Sequence, residues 1–427
     1  MPLTITEAIL ARHCEDGEVR PGAIATIRPD VVLLNDVSGP LAYAQFDAIG
    51  ANGVFDPERV VVVDDHFAPA KDVESANSLR RNKTFAEAHG IRHHYGPGEG
   101  GIEHTLLAEL GLVGHGDIVF GADSHTCTAG AFNALGIGFG STDLAGALAA
   151  GRLWMRVPES IRVELSGDKP AYVTGKDIVL ELIRRIGSDG ALDASIEFGG
   201  PGVANLGMDE RMAVANMAVE AGADACVFEG DETSTADMAA RGMTPRPAVA
   251  AEPGAHYRQR IAIDVAALSP IVAAPPSPAN GTAVGDLRGT KVDQVYIGNC
   301  SNGTLTDLRQ AADMLRGRKV ARGVRLVVVP ATQRIWRAAL AEGLLGTLAE
   351  AGAAIGPSTC GACFGGHMGI LAAGETAVAT TNRNFRGRMG DPESRVFLAN
   401  AWVAAAAAVA GEIIHPAELG TIVAAGR

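Results

Sequence analysis

Short runs of β-branched apolar residues alternate with helical patterns along most of this 427-residue chain, and this alternation constrains the fold more than any other feature. The apolar runs are bounded by Gly, Pro or Asp, as buried strands are, and lie at 31–34, 59–65, 116–121, 161–167, 292–298 and 324–330. The apolar periodicity between them predicts helices over 70–89, 142–155, 174–187, 208–221, 304–317 and 331–343. This alternation predicts an α/β protein with layered, largely parallel sheets.

Proline-bearing stretches predict where the chain divides into domains. Pro158 lies just before a predicted strand, and the segment at 269–281 contains too many prolines for a helix or an inner strand. A chain of this length also exceeds one ordinary domain. We therefore predict three α/β domains, over 1–158, 159–278 and 279–427.

Composition argues against several classes of partner. The chain has 49 acidic and 36 basic residues and a net charge of −13, which opposes binding to nucleic acid or to an anionic membrane. No apolar run approaches the roughly 18 residues that a bilayer span requires, and the N-terminus lacks the pattern of a secretory signal. Six cysteines are few for a disulfide framework. We expect a cytoplasmic protein with reduced thiols.

The cysteines carry the sharpest local signal. Cys360 and Cys363 form a C-x-x-C pair in the glycine-rich segment GPSTCGACFGGHMG, and Cys300 follows a predicted strand in YIGNCSNG. Three interpretations remain open on spacing alone: ordinary buried thiols, a zinc site completed by His367, or an iron–sulfur cluster held by three cysteines. Ligands in open α/β sheets bind at the carboxyl ends of strands, which favours a site at Cys300.

Histidines paired with acidic residues form a second constellation. The segments 65–66 and 123–125 each place Asp and His at the end of a predicted strand, and His104 follows a glycine-rich loop. A carboxylate beside an imidazole can fix its tautomer and tune it as a proton donor or acceptor. One such histidine is more often a structural residue, but three clusters favour an active site.

A helical carboxylate and an arginine-rich loop add two further candidates. Asn216 and Glu220 are four residues apart in an apolar stretch, so they share one face of the predicted helix and Glu220 is a candidate base. Arg383, Arg386 and Arg388 lie among Asn and Gly in a segment that is either an anionic-substrate clamp or a basic surface loop.

Taken together, these motifs resemble the aconitase superfamily of iron–sulfur hydro-lyases, and within it the large subunits of the two-subunit members. The resemblance extends from NDVSGP at 35–40 to the final helix near 401–414. The motifs that carry it are DH at 65–66, DSHT at 123–126, NMAVE at 216–220, GNCSNG at 298–303, CGAC at 360–363 and NRNFRGR at 382–388.

The resemblance implies a fold, a cofactor and a set of site residues. The fold would be three α/β/α layered domains around a central cleft, without the swivelling domain of single-chain aconitases. The cofactor would be a [4Fe–4S] cluster with an open fourth iron. The implied site residues are the cluster ligands Cys300, Cys360 and Cys363, the catalytic Asp65, His66, His104, Asp123, His125 and Glu220, the substrate-binding Ser124, Arg383 and Arg388, and the cluster neighbours Asn216 and Asn382.

The resemblance also implies a reaction and a partner. The reaction would move a hydroxyl between adjacent carbons of a branched 2-hydroxy dicarboxylate, with Asp65–His66 protonating the departing hydroxyl. The leading substrate is 3-isopropylmalate, an intermediate of leucine biosynthesis, and methylmalate, dimethylmalate and homoaconitate remain open. Because the sequence ends at Arg427, a separate small swivel-domain subunit would supply the base and the loop that reads the substrate. A zinc-stabilised protein without catalytic activity is the alternative, and the net charge of −13 opposes RNA binding.

Overall fold

The computed structural model describes residues 1–420, so 421–427, the end of the predicted third domain, lie outside the described residues. The chain forms two compact units, each assembled from separate segments. Unit 1 comprises Met1–Gly167 and Asp189–Asp264, and unit 2 comprises Asp168–Ser188 and the chain from Val265 onward. The predicted α/β class with parallel sheets is confirmed. The boundaries at 158 and 278 stay a prediction.

Unit 1 contains three sheets. Its strands are β1 (Cys14–Gly17), β2 (Ile24–Ile27), β3 (Val31–Asn35), β4 (Val60–Val63), β5 (His93–Tyr95), β6 (Ile118–Gly121), β7 (Leu135–Gly138), β8 (Leu153–Arg156), β9 (Glu159–Ser166), β10 (Ala194–Gly199), β11 (Ala225–Phe228) and β12 (Gln259–Asp264). A parallel five-stranded sheet has the order β5-β4-β3-β6-β7. A parallel four-stranded sheet has the order β11-β10-β9-β12, and β1-β2-β8 is antiparallel.

Unit 2 is built on one seven-stranded sheet. Its strands are β13 (Ile271–Ala273), β14 (Gly281–Ala283), β15 (Gln294–Gly298), β16 (Arg325–Val329), β17 (Ala353–Ile355), β18 (Thr376–Ala379) and β19 (Arg395–Leu398). The order is β14-β13-β19-β18-β15-β16-β17. The strands from β19 to β17 run parallel, and β13 pairs antiparallel with β14 and β19.

Helices connect these strands. In chain order they are α1 (Ile5–His13), α2 (Gly39–Ile49), α3 (Val73–Ala88), α4 (Glu103–Glu109), α5 (Ser141–Ala150), α6 (Gly175–Ile186), α7 (Met208–Met217), α8 (Glu232–Ala240), α9 (Leu305–Leu315), α10 (Gln333–Ala341), α11 (Leu344–Ala351) and α12 (Ala401–Ala410). Helix α6 and helices α9 to α12 belong to unit 2. Within residues 1–420, none of the helices combines the length and the apolar character needed to cross a bilayer.

Each predicted strand is present, and two predicted helices end earlier than expected. The helix predicted over 142–155 stops at Ala150, because Gly151 adopts the left-handed conformation that closes a helix, and β8 follows. The helix predicted over 208–221 is α7 followed by a 3-10 turn, Ala218–Ala221, which ends at the left-handed Gly222. The causes differ: the first predicted helix ran past the glycine that ends α5, whereas in the second the apolar pattern continues through a tighter 3-10 turn before Gly222 is reached.

The three central strands of the five-stranded sheet are buried on both faces. Every residue of β3, β4 and β6 is buried, as expected for parallel strands covered by helices on both sides. Aromatic packing joins two of the covering helices: Tyr43 of α2 stacks on Phe85 of α3 with ring centroids 3.8 Å apart, and Phe46 meets Phe85 edge-on at 5.6 Å. Polar residues that follow these strands therefore stand on a well-packed base.

This burial predicts a contrast between two leucines of unit 1. Leu34 in β3 is fully buried, whereas Leu41 in α2 is 61% exposed. Leu34→Ala should lower the free energy of unfolding by about 2–5 kcal/mol, because it removes packed methyl groups and leaves a cavity. Leu41→Ala should change it by less than about 0.5 kcal/mol. Urea unfolding followed by circular dichroism compares the two, and equal losses would contradict the assigned core.

Candidate active site

The candidate acid–base residues lie at the carboxyl edge of the five-stranded sheet. In the register of this sheet Asn35 of β3 pairs with Val63 of β4, and Leu33 pairs with Gly121 of β6. The chain therefore leaves three adjacent strands at one edge, and the residues that follow them are Asp36, the 64–66 segment and the 122–125 segment. This is the edge at which open α/β sheets bind ligands.

Asp65 and His66 form a buried hydrogen-bonded pair. The Nδ1 atom of His66 lies 2.7 Å from Oδ1 of Asp65, and Oδ2 of Asp65 accepts the backbone N–H of Glu103 at 2.8 Å. The loop that carries the pair is held by Asp36, whose carboxylate accepts the backbone N–H groups of Asp65, His66 and Phe67 at 3.1, 2.9 and 2.6 Å. These bonds fix the position of the imidazole, and Nε2 is the ring nitrogen that Asp65 does not bind.

The surroundings of His66 favour its charged form. Burial alone would lower the pKa of the imidazole, but the carboxylates of Asp65, Asp36 and Asp123 outweigh burial and raise the pKa of His66 well above its ordinary value. Nε2 of His66 lies 3.8 Å from Oδ2 of Asp123. The raised pKa favours the imidazolium form of His66, which can donate a proton.

Asp123 is the centre of a second set of imidazoles. Its Oδ1 lies 3.1 Å from Nε2 of His104 and 3.3 Å from Nδ1 of His125, and it accepts the backbone N–H of His125 at 2.7 Å. Burial would raise the pKa of Asp123, but the hydrogen bonds from His104 and His125 hold it well below its ordinary value. Asp123 is thus an anion that orients two histidines.

Glu220 extends this network from a distant part of the chain. Its Oε1 lies 3.0 Å from Nε2 of His125, and both side chains are buried. Helix α7 packs against the 3-10 helix Ser124–Phe132, which brings the turn carrying Glu220 to His125. Asn216, near the end of α7, donates its Nδ2 to Oγ1 of Thr128 at 2.8 Å. The six predicted catalytic residues therefore form one continuous set, and Ser124 lies half-buried beside it.

In unit 2 the cysteines also follow strands of the parallel sheet. Cys300 comes two residues after β15, and the loop after β17 contains Cys360 and Cys363. All three thiols are buried. Asn382 follows the neighbouring strand β18 and donates its Nδ2 to Sγ of Cys300 at 3.2 Å. An amide N–H directed at a sulfur is the kind of contact that supports thiolate ligands.

The C-x-x-C loop packs closely on β15. Gly361 adopts φ +61°, and a Cβ there would collide with the hydroxyl of Tyr296. Burial, followed by the nearby Cys363 and Cys360, raises the pKa of Tyr296 well above its ordinary value, so Tyr296 is a neutral phenol. The small residue at 361 lets the loop lie against the strand that leads to Cys300. Three buried thiols and a glycine cradle fit an iron–sulfur cluster.

One of the predicted arginines contacts the same loop. Arg388 donates its Nε to the carbonyl of Cys363 at 2.8 Å and is half-buried. Arg383 is also half-buried, whereas Arg386 is exposed. Arg388 is therefore joined to the cysteine loop and is not part of a detached basic surface.

Three further polar residues, two in unit 1 and one in unit 2, contact the predicted residues or the backbone beside them and were not predicted. Asp36 and Glu103 contact the Asp65–His66 pair, as described above. In unit 2, the fully buried Lys176 donates its Nζ to the carbonyls of Thr380 and Thr381 at 2.9 and 2.7 Å, directly before Asn382. A sequence signal existed only for Asp36, which follows a buried strand as Asp65 and Asp123 do.

Comparison with known proteins agrees with these features. The model of the aconitase family (aconitate hydratase) matches residues 7–288 and 285–411. The chain is 52% identical over 419 residues, 98% of its length and 99% of the relative, to 3-isopropylmalate dehydratase large subunit 2 of Rubrobacter xylanophilus. It is 51% identical over 98% of its length, and 100% of the relative, to the 3-isopropylmalate dehydratase large subunit of Moorella thermoacetica.

A solved structure shares the fold at low sequence identity. Aconitase X of Thermococcus kodakaraensis, in its holo-form, matches with a TM-score of 0.50 and 12% identity, covering 86% of this chain and 88% of that one. The family resemblance inferred from the motifs is therefore confirmed. The chain belongs to the aconitase family.

Proposed function

We propose that this chain is the large subunit of a [4Fe–4S]-dependent hydro-lyase that isomerises 3-isopropylmalate by dehydration and rehydration. The observation that carries the proposal is the match, over 98% of the chain, to relatives named 3-isopropylmalate dehydratase large subunit. The paired imidazoles and carboxylates of unit 1 and the buried thiols of unit 2 support it.

In this proposal each unit has its own chemical task. Cys300, Cys360 and Cys363 would hold the cluster. When bound, a cluster with one iron not ligated by cysteine supplies a Lewis acid for the hydroxyl of the substrate. Arg383 and Arg388 would bind substrate carboxylates, because a guanidinium matches a carboxylate with two parallel hydrogen bonds.

The residues of unit 1 would move the protons. His66, charged and held through Nδ1 by Asp65, would donate a proton from Nε2 to the departing hydroxyl. His104 and His125, oriented by Asp123, and Glu220 would exchange protons with water. The words "large subunit" in the relatives' names imply a small subunit. A base on that subunit would remove the proton next to the substrate carboxylate.

The cluster assignment predicts a selective loss of iron. Cys360→Ser, reconstituted anaerobically, should lose most of its bound iron and its visible absorption, because a hydroxyl is a poor replacement for a thiolate ligand. Cys14→Ser is the matched control, since Cys14 is a half-buried residue of β1 in unit 1. Iron analysis checks both variants. Full iron in the Cys360 variant, or a colourless zinc-loaded wild type, would overturn the assignment.

The partner assignment predicts that activity depends on a second protein. The reconstituted chain alone should show little turnover of 3-isopropylmalate, and addition of the small subunit should restore it, because the base would come from that subunit. Ultraviolet absorption of the unsaturated intermediate measures turnover by the chain alone and with the small subunit. Methylmalate, dimethylmalate and homoaconitate are tested in parallel, and a preference for one of them would replace the substrate assignment. Strong turnover without the partner would contradict the division of tasks.

The charged state of His66 predicts a specific effect on the pH profile. Dehydration needs protonated His66, so activity should fall as pH rises through its raised pKa. Asp65→Asn removes the main carboxylate partner, which should move this alkaline limb to lower pH and lower kcat by roughly 10²-fold. Asp64→Asn is the control, because the neighbouring Asp64 binds Asn82 and His94 instead. An unmoved limb in the Asp65 variant would remove His66 from this role.

A further inference from the structure

Glu103 is a buried acid inside the acid–base network with an incomplete set of partners. It is the first residue of α4 and is fully buried. Its Oε1 accepts Nδ2 of Asn35 at 2.8 Å. Its Oε2 is buried and has no hydrogen-bond partner among the residues that the structure describes. A buried carboxylate normally pairs with a cation or several donors, so this arrangement is typical of the neutral acid.

The groups that face Glu103 favour its neutral form. Asp65 and Asp123 bring negative charge from the ends of β4 and β6, and the imidazole of His104 lies 3.8 Å from Oε1 through its Nε2. Burial, followed by the charges of Asp65 and Asp123, raises the pKa of Glu103 well above its ordinary value, although the nearby His66 opposes this. Another anion here would compete with Asp65 and Asp123 for the imidazole protons.

The backbone of Glu103 connects this side chain to the proton donor. Its N–H binds Oδ2 of Asp65, and Oδ1 of the same carboxylate binds His66. Its side chain is fixed by Asn35, whose own Oδ1 is held by the backbone N–H groups of Val37 and Ser38. A displacement of the Glu103 side chain would therefore move a hydrogen-bond donor of Asp65.

We propose that Glu103 is an uncharged positioning residue, which fixes Asp65 through its backbone and leaves Asp65 and Asp123 as the anions that orient the imidazoles. The inference rests on the proposed function, in which His66 is the proton donor. The proposed function does not state which acid of the network is uncharged, and this inference assigns the uncharged state to Glu103.

Infrared spectroscopy tests the charge without requiring turnover. The holoprotein at neutral pH should show the carbonyl stretch of an un-ionised carboxylic acid, and Glu103→Gln should remove that band. A difference spectrum that shows carboxylate bands in its place would overturn the inference, even if the enzyme is active. If the band is present and the protein does not turn over 3-isopropylmalate, the proposed function fails and the neutral charge of Glu103 stands.

Kinetics of the enzyme with its small subunit test the positioning role. Glu103→Gln keeps a neutral group that can accept from Asn35, so kcat should fall by much less than the ~10²-fold loss typical of a missing acid or base. Glu103→Leu removes the acceptor, and the alkaline limb of its pH profile should move to lower pH. A Leu variant with lowered stability but an unmoved limb would show a merely structural role. A loss of 10²-fold or more in the folded Gln variant would also overturn the proposal.

Discussion

Parallel pairing of fully buried strands is the constraint on which the candidate site depends. Because β3, β4 and β6 run in the same direction and in fixed register, the residues that follow them emerge at one edge. The sheet of unit 2 repeats this plan, with Cys300 after β15 and Asn382 after the adjacent β18. Side chains far apart in sequence are thus positioned by backbone pairing, which tolerates little displacement once both faces of a sheet are packed.

The edge of unit 1 concentrates carboxylates that are buried or, for Asp123, half-buried, and their charges are balanced in different ways. Asp123 is balanced by hydrogen bonds from two histidines, and Asp36 by three backbone N–H groups. Asp65 is paired with the imidazolium of His66. These arrangements satisfy the requirement that buried charge be compensated, and they fix the imidazoles that would transfer protons. Structural stability and the proposed proton transfer would therefore depend on the same contacts.

Much of the fold and of the candidate site followed from local patterns. The strands were predictable because β-branched runs bounded by Gly, Pro or Asp are short and uninterrupted. Cys300, Asp65 and Asp123 were identifiable because each follows such a run. Glu103 and Lys176 were not, since a single Glu or Lys in a helix is usually solvated and nothing local indicates full burial. The ends of two helices were misplaced because apolar periodicity registers neither a left-handed glycine, such as Gly151, nor the change from an α-helix to a 3-10 turn after Met217.

The sequence by itself determined which residue types stand after the buried strands, and with them the membership of the aconitase family. Only the tertiary structure decided their partners. His125 pairs with Glu220, 95 residues away, and Lys176 reaches carbonyls more than 200 residues away. Such contacts arise from the packing of one element on another, as of α7 on the 3-10 helix of His125. No local pattern encodes that packing, because it depends on the shape and burial of surfaces contributed by the whole unit.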